Sequence, residues 1–302
     1  MWAQHFQRLS HLAYSGGDVN ELQSHLLSYT LYLDAQSCLA GNTGSGAFVR
    51  TYHMQGSRLP ACHEPRSSLQ QISPESSGAD IFAACFKLGG FMCTRFAALG
   101  RLALQIRQDV DLGYGDLAEH QRHISNLRDE LRTSWNLKCP KFLSRDPCEA
   151  SAILLPLTKN VFDFAFLQYS SALLYLHTSM YRGQQMDIFY LQHKEISCHC
   201  RLVLAKASVI ISSGATAQNY LIFPVFLAGV VSRNDQDKTH AIGLLRTLAK
   251  TGISRNACRS RQLLEAICVE QRRLVKCGGS AAELDWISYS DEMGLRSVNM
   301  GL

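Results

Sequence analysis

The chain has 302 residues, of which 46% are hydrophobic and 18% charged, with a formal net charge of +5. This composition excludes fibrous, collagen-like and wholly disordered chains, and it allows one large domain or two small ones. The positive excess is mild and is not gathered into a dense Lys/Arg run, so it does not by itself argue for nucleic-acid contact.

Helical periodicity dominates from the N-terminus onward. Asp18-Val19-Asn20-Glu21 reads as a capping box, and Leu22, Leu26, Tyr29 and Leu33 follow at the spacing of one apolar helix face. Gly41 to Gly46 is a Gly-rich stop. Gly56 to Asp80 holds Pro60, Pro65, Pro74 and a run of serines with few large apolar residues, which predicts a loop or disordered insert (56–80). Ile81 to Ile106 is apolar on most faces and predicts a buried helix, or a pair broken at Gly89-Gly90. Asp116 to Glu119 repeats the capping signature. The helix it opens carries Leu117, Ile124, Leu127, Leu131 and Trp135 on its apolar side and stops before Pro140. After a breaker-rich stretch from Cys139 to Glu149, helices are predicted over Ala152–Tyr181, Glu195–Ser212, Ala217–Arg233, Lys238–Thr251 and Arg259–Val275. The β-branched run Val209-Ile210-Ile211 continues a Leu/Ala-rich helical pattern and is read as helix. The expected fold class is all-α: a single multi-helix domain (1–302) of packed antiparallel helices with one disordered insert. The two best candidates for a membrane span, Ala152–Tyr181 and Tyr220–Val231, do not suit one. Lys159, Asn160, Asp163 and Gln168 interrupt the first, and Tyr220–Val231 is short of the roughly 20 residues a span needs.

Chemistry-bearing motifs are scarce. Gly41-Asn42-Thr43-Gly44-Ser45-Gly46 lacks the Gly-Lys-Ser/Thr ending of a phosphate loop and follows a helix rather than a strand. No Gly-x-Ser-x-Gly elbow occurs. None of the 11 histidines stands in a recognised spacing with a carboxylate and a nucleophile, and His177 on its apolar helix reads as a core or helix-end histidine. Eleven cysteines are scattered from Cys38 to Cys277 in an odd number, several within apolar helical runs. Buried thiols in a reducing compartment, cytosol or nucleus, are expected rather than a disulfide framework. Met1 to His5 has no apolar signal core, and no Asn-x-Ser/Thr acceptor occurs. In the densest ligand cluster, His193 to Cys200, the thiols of Cys198 and Cys200 are two residues apart and point about 200° from one another on a helix. The expectation is therefore no catalytic residue, no cofactor and no metal site. Arg255, Arg259, Arg261, Arg272 and Arg273 form the most basic stretch. Glu265 and Glu270 interrupt it, as on a solvated helix face.

A family pattern emerges at Tyr220-Leu221-Ile222-Phe223-Pro224-Val225-Phe226-Leu227-Ala228-Gly229-Val230, followed by a polar turn, Gly252, Leu263-Leu264-Glu265-Ala266-Ile267 and Asp285-Trp286. It resembles the fungal-specific transcription factor domain, the regulatory domain of zinc-cluster regulators. There a Trp-Pro-Leu-Phe-Ile-Ala-Gly segment precedes a polar helix, a Leu-Leu-Glu helix and a late Trp. Ser171 to His177 resembles the family's Ala-Leu-Ile-Tyr-Leu-His helix. Looser likenesses are the helix Tyr29–Leu39 with Asp34, and Leu127–Trp135. Phe223 replaces the Trp before the Pro, and Val230-Val231 replace the acidic or Cys-bearing residues after the Gly. No Cys-x-x-Cys occurs, so the zinc cluster that reads DNA in this family has no counterpart in these residues. Pro224 in an apolar helix predicts a kink, and Ala228 and Gly229 predict a close helix approach.

The resemblance implies a transcription-regulator-like helical domain in the nucleus, acting through protein partners of the transcription machinery and serving a metabolic or secondary-metabolite programme. It implies contact with DNA only through a missing or separate domain, and leaves a small-molecule effector and a homodimer open. The alternative is an all-α enzyme or small-molecule-binding protein with an interhelical pocket lined by Tyr175, His177 or His199. An interaction scaffold without regulatory output is a third reading.

Overall fold

Helix is the regular structure that the apolar spacing predicts, and a computed structural model bears this out. The structure describes residues 21–41, 46, 48–50, 72–114, 116–144, 147–188, 190–214, 218–250 and 255–295, and among these no strand forms. The main helices are α1 (Glu21–Leu39), α2 (Gly78–Asp111), α3 (Leu117–Lys138), α4 (Pro156–Thr178), α5 (Tyr190–Ser212), α6 (Ile222–Val231), α7 (Asp235–Lys250), α8 (Arg255–Lys276) and α9 (Trp286–Glu292). Short helical turns at Lys141–Ser144, Pro147–Ala150 and Ser151–Ile153 connect α3 to α4. The β-branched triplet at 209–211 is helical, inside α5.

Two expectations fall largely outside the described residues: the capping box at Asp18, and the insert over 56–71. The described tail of that insert is irregular only to Ser77. Gly78 to Asp80 already form the first turn of α2, with the Ser77 hydroxyl accepting from the Asp80 N–H at 3.2 Å.

α2 lies between α1 and α4, packing along both. Gly89-Gly90 does not break it. Each glycine weakens a helix by about 1 kcal/mol relative to alanine. Burial of Leu88, Met92, Phe96, Leu99 and Ala103 on this long element outweighs that cost. Gly100 has a packing reason: a Cβ there would stand 3.2 Å from the Ala35 backbone of α1. α2 is also the one helix among the described residues long and apolar enough to cross a membrane, whereas the sequence had pointed to two later stretches. Here the buried apolar residues of α2 face α1 and α4, as in a core helix, while others such as Ala83 and Val110 remain exposed.

The face expected on α1 is not one-sided. Tyr29 is 43% exposed, whereas Leu31 to Ala40 are buried all round the helix. The reason is position: that half of α1 sits inside the helix cluster rather than on its surface. In α3 the amphipathic reading holds in its centre. Ile124, Leu131 and Trp135 are buried, while Leu117 at the first turn is exposed. Asp116 caps the helix, accepting from the Ala118 N–H at 2.9 Å. Trp135 stacks on Tyr169 of α4 at 4.3 Å between ring centroids and is flanked by Phe162 and Phe166.

Pro224 does not stand in a helix interior, where the sequence predicted a kink. α6 starts at Ile222, so Pro224 lies in its first turn, where a backbone N–H has no intrahelical acceptor to lose. Every residue of α6 is buried. It contacts α4, α5, α7 and α8, and one continuous apolar core runs from α1 to α9 around it.

Candidate functional site

At the C-terminal end of α4, side chains from four distant parts of the chain meet. Arg107 of α2 forks onto Asp285, with Nη1 and Nη2 each 3.1 Å from a carboxylate oxygen, and Nη2 donates to the Ser179 carbonyl at 2.6 Å. Bidentate pairing of this kind fixes orientation as well as charge. Asp285 also caps α9, accepting from the Ser288 N–H at 3.2 Å and hydroxyl at 2.6 Å. Burial raises the Asp285 pKa, but the Arg107 charge and these hydrogen bonds outweigh it and hold the carboxyl below its ordinary range. The Trp286 indole N–H donates to Ser179 Oγ at 3.0 Å, and its ring stands edge-on to Phe226 of α6 at 5.2 Å. Tyr175 donates its hydroxyl to the Leu39 carbonyl at 3.0 Å. Burial pushes this phenol up to about 12, against the pull of the nearby Arg107.

The close approach predicted at Gly229 is present. A Cβ there would lie 2.7 Å from Leu264 Cδ2 and 2.8 Å from Ala241 Cβ, so α6, α7 and α8 meet across this glycine. Leu263 and Leu264 are the inward members of the Leu-Leu-Glu group. Glu265 turns outward and pairs with Arg261 at 2.7 Å and Arg246 at 3.5 Å. Phe226 and Gly229 of α6 thus meet Trp286 and Leu264, and Tyr175 is tied to the same junction through Arg107 and its partner Asp285, although these residues span more than a hundred positions of sequence.

Beside this junction His177 closes the end of α4. Its Nε2 faces Glu195 of α5 at 3.0 Å, and Glu195 also accepts from Arg132 of α3 at 3.1 and 2.5 Å. Burial raises the Glu195 pKa, but its interactions with His177 and Arg132 override this and hold it at about 2. His177 also borders a cleft of ≈ 560 Å³ between α3, the end of α4 and the turn before α5. Gln121, Ser125, Arg128, Tyr181 and Gln184 supply polar groups there, and Ile124 and Leu176 supply apolar ones. The other two residues named for a pocket do not border it. Tyr175 points to α1, and His199 packs edge-on to Tyr169 with Nδ1 3.3 Å from Ser170 Oγ. Burial brings His199 down to about 4, so its ring is neutral near pH 7.

The remaining motifs resolve as follows. Cys198 is exposed and Cys200 buried, so the pair diverges as helix geometry requires. Among the described residues no three His, Cys, Asp or Glu side chains are grouped to hold a metal ion. Residues 42–45 of the Gly-rich stop lie outside the described residues. Gly46 N–H donates to Asp34 Oδ1 at 2.8 Å, and Phe48 and Val49 N–H donate to Oδ2 at 2.9 and 3.0 Å. A carboxylate of the chain itself occupies these amides, where a phosphate loop would hold its ligand. In the basic stretch Arg261 and Arg273 pair with Glu265 and Glu270 of the same helix, and Arg272 reaches Asp235 at 3.6 Å. The structure also brings forward two residues that the motifs did not flag, Lys238 and Gln271, both buried and hydrogen-bonded to each other. The signal was present: Lys238 shares the helical register of Ala241, Leu245 and Leu248, the buried stripe of α7.

The sequence profile described as the fungal specific transcription factor domain matches residues 2–300. No curated protein and no solved structure matches the chain significantly. With a match over nearly its whole length, and with the family's ordered motifs folded into one junction, the chain belongs to the fungal-specific transcription factor domain family.

Proposed function

We propose that residues 1–302 act as one regulatory unit in the nucleus, controlling transcription through contacts with proteins of the transcription machinery. DNA is read by a separate domain, and the unit has no catalytic, cofactor or metal site of its own. The family match over residues 2–300 carries this reading. The packing junction supports it physically. Tyr175, Phe226, Gly229, Leu264 and Trp286 hold helices together rather than pointing reactive groups at a substrate. The resemblance suggests a metabolic or secondary-metabolite programme as the target.

A fusion of this chain to an unrelated DNA-binding domain, placed over a reporter gene, tests the reading. A several-fold change in reporter output, abolished by Trp286→Ala, is the expected result. An output equal to that of the DNA-binding domain alone, from a fusion present at normal level, rejects it.

The cleft beside His177 favours a second, narrower reading, a regulator that also takes up a small molecule. Its polar groups converge with apolar ones in a volume ordinary for ligand pockets.

A further inference from the structure

A second cleft, of ≈ 630 Å³, opens on another side of α6, where its C-terminal end meets the start of α7, the end of α8 and the turn 279–282. Its lining is unbalanced in charge. Arg233, Lys238, Arg272 and Lys276 contribute four cations and Asp235 the one carboxylate among the described residues. Val230, Val231, Val275 and Ala282 add an apolar wall.

The residue at its base is the informative one. Lys238 is 6% exposed, on the inward stripe of α7. Its Nζ donates to Gln271 Oε1, and the Gln271 amide in turn donates to the Val230 carbonyl at 3.2 Å. Among the described residues no carboxylate lies within salt-bridge distance of this ammonium. Asp235, three residues earlier on α7, is instead 3.6 Å from Arg272 Nε. The contrast with Lys206 is direct: that equally buried lysine sits 2.9 Å from Asp163 and donates to Ser151 Oγ and the Pro147 carbonyl. A buried ammonium with one neutral acceptor is costly. Two of its three donors remain for a group entering the cleft. Burial lowers the Lys238 pKa, as expected for an ammonium without a counterion.

We infer that this cleft is a binding site for a small organic acid, whose carboxylate pairs with Lys238 under the rim of Arg233, Arg272 and Lys276 and whose hydrocarbon part lies on Val230, Val231 and Val275. A free small molecule fits better than a protein side chain because the ammonium is at the base of a ligand-sized cavity rather than on a flat face. The inference does not depend on the regulatory reading, since binding is measured without any reporter.

Hexanoate, its uncharged counterpart hexanamide, inorganic phosphate and a short Glu-rich peptide are the probes, titrated into the full chain by calorimetry at low salt. Hexanoate is expected to bind and hexanamide not. Lys238→Met should weaken hexanoate by about tenfold or more, the loss of one charge-assisted hydrogen bond. Exchanging an unpaired buried ammonium for a chain of similar volume should leave the unliganded thermal midpoint unchanged or raised. Arg233→Gln, at an exposed rim position, tests the site without touching the core and should weaken hexanoate by a smaller factor while flattening its salt dependence. Equal binding of hexanoate and hexanamide, or hexanoate binding unaffected by both variants, overturns the proposal. So does binding of phosphate or the Glu-rich peptide in place of hexanoate, which would point to an inorganic anion or a protein partner instead.

Discussion

Trp286 is among the largest side chains that are completely enclosed, and it combines an apolar body with one polar tip. Its removal leaves a cavity beside Phe226 and takes the indole donor from the Ser179 hydroxyl, which keeps Thr178 Oγ1 at 3.1 Å. Trp286→Ala should therefore lower unfolding free energy by about 3–5 kcal/mol, read as a shifted urea midpoint at unchanged slope. Glu195 gives a pH prediction with a definite sign. Its folded pKa of about 2 lies below the ordinary 4.5, so its contribution is complete above pH 4.5 and disappears as pH falls towards 2. The urea midpoint should drop between pH 5 and pH 3, and the drop should be smaller in Glu195→Gln. An equal drop in both proteins would show that His177 and Arg132 do not set this carboxyl. The partners of these residues were not legible in the sequence. Glu195 is eighteen positions from His177 and sixty-three from Arg132, and no periodicity relates pairs on different helices.

At the level of elements, glycines sort by what surrounds them. Gly229→Ala in α6 forces a Cβ to within 2.8 Å of the Ala241 Cβ, an atom held by its own backbone. The helix-propensity gain of about 1 kcal/mol is then overridden by strain of about 1–3 kcal/mol, and the variant should melt lower. Gly243→Ala in α7 meets nothing within 4 Å at an exposed site and should stabilise by about 0.5–1 kcal/mol. Opposite shifts in Tm from one substitution type would isolate packing from propensity. The existence and order of α1 to α8 were legible because a 3.6-residue period is local information, whereas α9 and the short turns between α3 and α4, too brief to show a period, were not predicted. What failed was where tertiary packing overrides local rules. Pro224 sits in a first turn instead of a helix interior, and residues 31–40 of α1 are buried on all sides instead of one; of the two readings open at Gly89-Gly90, the unbroken buried helix is the one that forms. Asp163, read only as an interruption of an apolar stretch, proves fully buried and paired with Lys206 across α4 and α5.

Over the whole molecule the helices divide the thiols by depth. Cys38, Cys85, Cys93, Cys139, Cys200 and Cys268 are buried, whereas Cys198 and Cys277 are exposed. Brief alkylation of the native protein followed by peptide mass spectrometry should label Cys198 and Cys277 and leave those six unlabelled until denaturant is added. Burial raises the pKa of Cys85 and Cys200 to about 12, which slows their reaction further. Labelling of Cys85 or Cys200 at the rate of Cys198 would contradict this core. The division was half visible beforehand: thiols inside apolar runs are expected to be buried, but only the register of α5 separates Cys198 from Cys200. Arg107 has a wider consequence. It is set in α2, yet its counter-charge arrives with Asp285, so the long central helix is electrically complete only once the C-terminal helix has docked. In genetic terms, a stop codon placed just ahead of Asp285 would behave like a core lesion, stranding a guanidinium and emptying the Trp286 slot. Such alleles should be null for protein accumulation although residues 1–284 are intact.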